Sequence, residues 1–91
     1  MFDWDRNNLS KIGAHRITAT EIEGALSREP VLIYEQDAGD ESRYVYYAAT
    51  ERGRLIAVVL TERTSRIPVI TAYDLDAGQK RDYLERRMKG E

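Results

Sequence analysis

The side chains able to do chemistry are few in this sequence. His15 is the only histidine, cysteine is absent, and the remaining reactive groups are fourteen Lys and Arg, sixteen Asp and Glu, and six tyrosines. Without cysteine there is no disulfide framework, thiolate zinc site or cysteine nucleophile. A single histidine excludes a His-pair metal site, and the carboxylates are spread through turn-like and helix-like stretches, so neither a metal cluster nor a cofactor is expected. No GxGxxG or P-loop spacing is present to cradle phosphate. No serine sits in a nucleophile-elbow context that His15 might serve.

What remains is metal-free chemistry run by cations, a tyrosine and one histidine. RNA suits that kit because it carries its own nucleophile. Its 2′-hydroxyl can attack the adjacent phosphate once the strand is bent into line. A protein then has to stabilise charge on the crowded phosphorane and move a proton from the 2′-oxygen toward the departing 5′-oxygen. Guanidinium groups serve the first need, being permanently charged and matched to phosphate oxygens.

The elements that must hold such groups can be read from the patterning. Ninety-one residues, 42% hydrophobic and 33% charged, make one domain with a thin core. No repeat or Gly/Ser linker divides residues 1–91. Phe2 and Trp4 alternate with Asp3 and Asp5 as a short edge strand. Asn7 to Gly13 predicts a brief helix with Gly13 as its stop. Thr18 and Glu21 have capping-box spacing ahead of Ile22, Ala25 and Leu26, and Pro30 ends that run. Val31 to Gln36, Arg43 to Thr50, Arg54 to Glu62 and Ile67 to Tyr73 are rich in Val, Ile and Tyr and have tight connections, which predicts an antiparallel meander. Asp76 and Gln79 open a last helix from about Ala77 to Lys89, with Ala77, Leu84 and Met88 as its apolar stripe. The order β-α-α-β-β-β-β-α is an α+β fold whose helices can cover one face of the sheet.

Charge and hydropathy place this domain in broad terms. A net charge of −2 and a pI near 5.4 give no global pull toward nucleic acid, so any contact needs a local patch such as Lys80 to Glu91. Acids gather instead at Glu35 to Glu41, where Gly39 and Asp40 read as a turn. The acidic start, Met1 to Asp5, lacks a signal-peptide apolar region. The longest apolar stretch, Leu55 to Leu60, is far short of the roughly 20 residues of a membrane span. The expectation is a soluble, cytoplasmic protein with no membrane contact.

Register separates two arginine clusters. A last hairpin centred on Thr64 and Ser65 places Tyr73 opposite Ile56 with Arg54 one pleat further on. By parity Arg54 and Tyr73 then share a face, near Lys80 and Arg81 at the start of the final helix. Arg63 and Arg66 lie at the other end, roughly 20 Å away at about 3.3 Å per residue, with Arg43 near them on the neighbouring strand. Flanked by Glu41 and Glu62, that second group reads as ion-paired turn surface.

These residues, taken in order, resemble the BrnT-type toxins of bacterial toxin–antitoxin modules. The run from Phe2 to Asp5, Asn8, the run from His15 to Thr18, Glu21 and Glu23, the run from Arg52 to Leu55, Thr61 to Arg63, and Val69 to Ala72 carry the resemblance over nearly the whole chain. It implies a RelE-like ribonuclease fold, metal-independent cleavage of mRNA, free or on the ribosome, and a small BrnA-type antitoxin that neutralises the toxin and binds operator DNA with it. The family's arginine at the start of the penultimate strand falls on Arg54. Its frequent arginine after the Ile-Ser/Thr-Ala stretch falls on Tyr73. A phenol can donate one hydrogen bond or shuttle a proton but cannot replace a fixed charge, so either Tyr73 has an acid/base or stacking role or the site is weakened. Gly13 and Ala14 are also less basic than the family's residues before the histidine.

Each candidate has a structural counterpart. Arg54, Tyr73 and His15 form the catalytic set, with His15 as acid/base or as a loop histidine bonding backbone. Lys80 and Arg81 would hold flanking phosphates, although Arg81 can instead snorkel over Leu84. Trp4 can stack a base or pack in the core. The rival function is a toxin fold with weak or lost catalysis, serving as the protein-binding half of an antitoxin/operator repressor complex.

Overall fold

Each helix begins at a short polar motif that captures its free N–H groups. The computed structural model describes residues 2–39, 41–62 and 66–89, with the backbone alone for residues 3 and 38. Arg63, Thr64, Ser65 and Asp40 lie outside the described residues. The elements are β1 (Phe2–Asp3), α1 (Arg6–Ala14), α2 (Ala19–Leu26), β2 (Val31–Ala38), β3 (Glu41–Ala49), β4 (Leu55–Glu62), β5 (Ile67–Asp74) and α3 (Ala77–Met88). The Asp5 carboxylate caps α1 by accepting from the Asn8 N–H at 2.7 Å. Both predicted capping boxes form. The Thr18 hydroxyl accepts from the Glu21 N–H at 3.1 Å and the Glu21 carboxylate from the Thr18 N–H at 3.0 Å. Asp76 and Gln79 exchange the same pair of bonds at 2.8 and 3.0 Å.

The sheet is a meander extended at one edge, in the order β1-β5-β4-β3-β2. β2 to β5 pair antiparallel, and β1 lies parallel to the start of β5, with Phe2 opposite Ile67. The fold is α+β as predicted, but its helices do not all share one face. Ile12, Ile17, Ile22 and Ala25 from the α1–α2 region pack with Ile56, Val58, Leu60, Val69 and Ala72. The alternate residue Ala57 packs instead with Val31, Tyr47, Leu75 and, from α3, Tyr83. Because side chains alternate along β4, the two clusters lie on opposite faces, and α3 closes the second. Its contact residue differs from prediction. Tyr83 is buried, whereas Leu84 and Met88 are 54% and 87% exposed. The aromatic ring, with the Arg87 guanidinium 5.9 Å from its centroid, removes more area from water than the narrow stripe would.

α1 also ends differently from the prediction. The helix passes Gly13 and stops in a Schellman motif, with the Ile17 N–H bonded to the Ile12 carbonyl and the Arg16 N–H to the Gly13 carbonyl. Arg16 takes the left-handed position, at φ 58°, which a side chain adopts only when the surroundings hold it there. Part of that hold is local, since Ile12 and Ile17 are both buried in the larger core. The β3–β4 turn uses Gly53 at φ 85° in the same region; its connection runs over five residues, Thr50 to Arg54, two more than the expected Glu51 to Gly53, because both strands stop one residue short.

Candidate functional site

Arg54 is held at its base before its side chain begins. Its N–H donates to the Thr50 hydroxyl at 3.1 Å and its carbonyl accepts from the Thr50 N–H at 2.8 Å, with Thr50 itself buried. The guanidinium then spends four of its five N–H groups inside the protein. One edge meets the Asp74 carboxylate, Nε to Oδ1 at 2.6 Å and Nη2 to Oδ2 at 2.9 Å. The other edge donates to the backbone carbonyls of His15 and Arg16, each at 2.7 Å. Those carbonyls belong to the end of α1, where the helix leaves acceptors unsatisfied and the macrodipole favours a cation. Arg54 therefore closes the helix terminus and supports the left-handed Arg16.

Asp74 is the partner that sequence reasoning missed. The Arg54 hydrogen bonds hold its carboxyl below the ordinary carboxylate range, against the opposing effect of burial, and the charges of Arg54, His15 and Lys80 act in the same direction as the hydrogen bonds. Lys80 joins Gly53, Arg54, Leu55 and Asp74 around a cleft of about 240 Å³. A larger hollow of about 430 Å³ opens on the other side of the β3–β4 turn, with Arg28, Arg52, Glu21 and Thr50 among its walls.

Arg54 and Tyr73 do not share a sheet face. Near the hairpin turn the pairing follows the predicted register, Leu60 opposite Val69. A bulge then gives β5 one extra residue, Ile70, and the pairing resumes with Val59 opposite Thr71. Tyr73 consequently lies opposite Ala57, and it is Asp74 that lies opposite Ile56. Tyr73 packs beside the α3 cluster, while Asp74 reaches Arg54. That one-residue slip exchanges the two side chains.

His15 nevertheless brings the phenol and the arginine into one neighbourhood. It is the C-cap of α1, exposed, with its carbonyl on Arg54 and its imidazole 6.4 Å from the Tyr73 ring, centroid to centroid, at 55°. β1 pairs only with Ile67 and Pro68, so this contact lies beyond the part of β5 that β1 pairs. Burial pushes the phenol of nearby Tyr47 up from its ordinary value, against a hydrogen bond with Gln79 that acts the other way.

The other candidates separate. The Arg81 side chain is exposed on α3, with no hydrogen bond or ion pair among the described residues and no part in lining the Arg54 cleft. Trp4 is partly buried against the larger core and donates its indole N–H to Glu23 of α2. Within the basic stretch at the end of the chain, Arg86 is paired with Asp82 and Arg87 with Glu29. Arg43 lies opposite Thr61 at the far end of the sheet. Among the described residues no group of three or more His, Asp or Glu side chains is placed to hold a metal ion, and no helix is long and apolar enough to cross a membrane.

The family model of the ribonuclease toxin BrnT, of type II toxin–antitoxin systems, matches residues 4–78 of this chain. No curated protein and no solved structure matches it.

Proposed function

Because the chain belongs to the BrnT family of ribonuclease toxins of type II toxin–antitoxin systems, we propose that it cleaves mRNA without a metal ion at the corner occupied by His15, Tyr73, Arg54 and Lys80. The observation that carries this reading is the His15–Tyr73 ring pair beside a cationic cleft. An imidazole and a phenol supply proton transfer, and Arg54 and Lys80 supply positive charge, in a fold read as RelE-like.

In this reaction the substrate's 2′-oxygen forms a bond to the adjacent phosphorus as the bond to the 5′-oxygen breaks. His15 takes the 2′-hydroxyl proton, and Tyr73 delivers one to the departing 5′-oxygen or orients the phosphate. Lys80 and the one N–H of Arg54 not engaged within the protein face the phosphate charge, which grows in the transition state. The hollow beside the β3–β4 turn has room for a flanking nucleotide, with Arg28 and Arg52 on its walls. Products carry a 5′-hydroxyl and a 2′,3′-cyclic or 3′-phosphate end. The type II family implies an antitoxin partner. A BrnA-like antitoxin would cover this corner and carry operator DNA contact, in the cytoplasm where mRNA is met.

The test is incubation of the free protein with RNA in EDTA, followed by analysis of the ends. Cleavage that survives EDTA, yields those ends and falls in Arg54→Ala and His15→Ala supports the reading. Equal cleavage by Arg54→Ala and wild type removes Arg54 from the site. One observation favours the rival, non-catalytic repressor subunit: four Arg54 N–H groups are already engaged. Growth unaffected by induced expression supports that rival, whereas arrest relieved by co-expressing the adjacent open reading frame supports the nuclease.

A further inference from the structure

The guanidinium plane of Arg54 has two working edges, and only one of them touches the loop that carries His15. We propose that Asp74 is a positioning residue, whose carboxylate fixes the orientation of Arg54 and through it sets the His15 imidazole against Tyr73. This rests on the ribonuclease reading for its kinetic consequence, but its geometric content stands independently.

The geometry has three links. Backbone bonds to Thr50 fix where the Arg54 side chain starts, but leave its long stem free to rotate. The bidentate contact with Asp74 removes that freedom, because a planar fork engaged along Nε and Nη2 can present its remaining N–H groups in one direction only. That direction meets the carbonyls of His15 and Arg16. The side-chain hydrogen bonds of Asp74 go to Arg54 and not to either ring. It acts at a distance of one residue, by aiming Arg54 at the end of α1.

The bulge at Ile70 is what puts a carboxylate in this place. Without the extra residue, β5 would offer the phenol of Tyr73 to Arg54, and a phenol cannot bridge both N–H groups of one guanidinium edge. Asp74 is also the last residue of β5, anchored by the following Leu75 N–H on the Leu55 carbonyl at 3.1 Å. Both partners of the fork are thus fastened to the same end of the β4–β5 ladder.

The experiment compares wild type with Asp74→Asn and Asp74→Glu, by NMR and by cleavage of a short RNA. His15 is the only histidine, so its ring protons are assigned without ambiguity. Wild type should show a nuclear Overhauser contact between the His15 and Tyr73 rings. Asp74→Asn should lose most of it while amide shifts of β3 and β4 away from the corner stay in place. Its kcat should fall on the order of 10- to 100-fold, the scale of a misplaced catalytic group, with KM within about threefold of wild type. Asp74→Glu, which restores the carboxylate on a longer arm, should recover part of both signals.

An unchanged ring contact in Asp74→Asn overturns the proposal, as does an unchanged kcat in an active protein. Loss of signal throughout the sheet in Asp74→Asn would mark unfolding, and Asp74→Glu then decides. A folded Asp74→Glu protein with a partial ring contact supports positioning, and one with none overturns it. If wild type cleaves no RNA, the ribonuclease reading fails, and the ring contact alone still upholds or overturns the tether.

Discussion

Replacing Arg54 separates what its charge does from what its fork does. Arg54→Ala removes two hydrogen bonds to Asp74 and two to the carbonyls of His15 and Arg16. The Asp74 side chain is 56% exposed, so its pair contributes about 0–1 kcal/mol after solvent screening. The two carbonyl bonds come from a charged donor but end on exposed residues that water can reach, which points to about 1 kcal/mol each. Loss of the cation at the end of α1 adds about 0.3–1 kcal/mol. Arg54→Ala should therefore destabilise by about 2–4 kcal/mol. A domain of this size loses roughly 4–8 °C per kcal/mol, so its melting temperature should drop at least ~8 °C. Arg54→Lys keeps the charge but serves one edge at a time, and should cost about half as much. Asp74→Ala removes the pair and slackens the two carbonyl bonds without removing the cation, and should cost less than Arg54→Ala, about 1–2 kcal/mol. Thermal melts followed by far-UV circular dichroism at pH 7 measure all three. A melting temperature for Arg54→Ala within about 2 °C of wild type, or a larger loss for Asp74→Ala than for Arg54→Ala, would refute the idea that Arg54 holds the end of α1.

Tyr73→Phe keeps the ring and removes the hydroxyl, so cleavage should fall on the order of 100-fold while the melting temperature moves by no more than about 2 °C, measured on one preparation. Asp74, whose carboxyl lies below its ordinary range through Arg54, stabilises the fold above the unfolded carboxylate range near pH 4, and that contribution is lost as pH falls through the depressed folded value. The stability difference between wild type and Asp74→Asn should thus be constant from about pH 5 to 7 and shrink in stronger acid, as urea titrations at each pH will show. Gly53→Ala meets no atom within 4 Å of the new Cβ, so only the positive φ opposes it, at a cost of about 1 kcal/mol in denaturant unfolding.

Local chemistry made much of this fold legible. Thr18 with Glu21, and Asp76 with Gln79, announce helix starts because each motif completes itself within four residues. The strands were readable for a similar reason, since β-branched and aromatic runs alternate with short polar connections. Non-local choices were not readable. Which side of α3 is buried depends on the space left between Tyr47 and Ala57, and Tyr83 fills it in preference to Leu84. The Arg16 conformation depends on an arginine 38 residues away that donates to its carbonyl. The proximity of the candidate residues was legible in part: His15, Arg54, Tyr73 and Lys80 do gather at one corner, but the pairing of Arg54 with Asp74 was hidden. Its role follows from Ile70, and no property of an isoleucine marks it as the unpaired residue of a bulge.

That extra isoleucine makes the two ends of β5 answer to different rules. At the turn end, adding or trimming hairpin residues changes where pairing begins. At the other end, the last side chains keep their sides only while the additional residue remains between them and Val69. Excising it would turn the strand's final residues over, presenting phenol to the helix pair and carboxylate to the opposite layer. One plain aliphatic residue decides which chemistry stands on which side of the molecule.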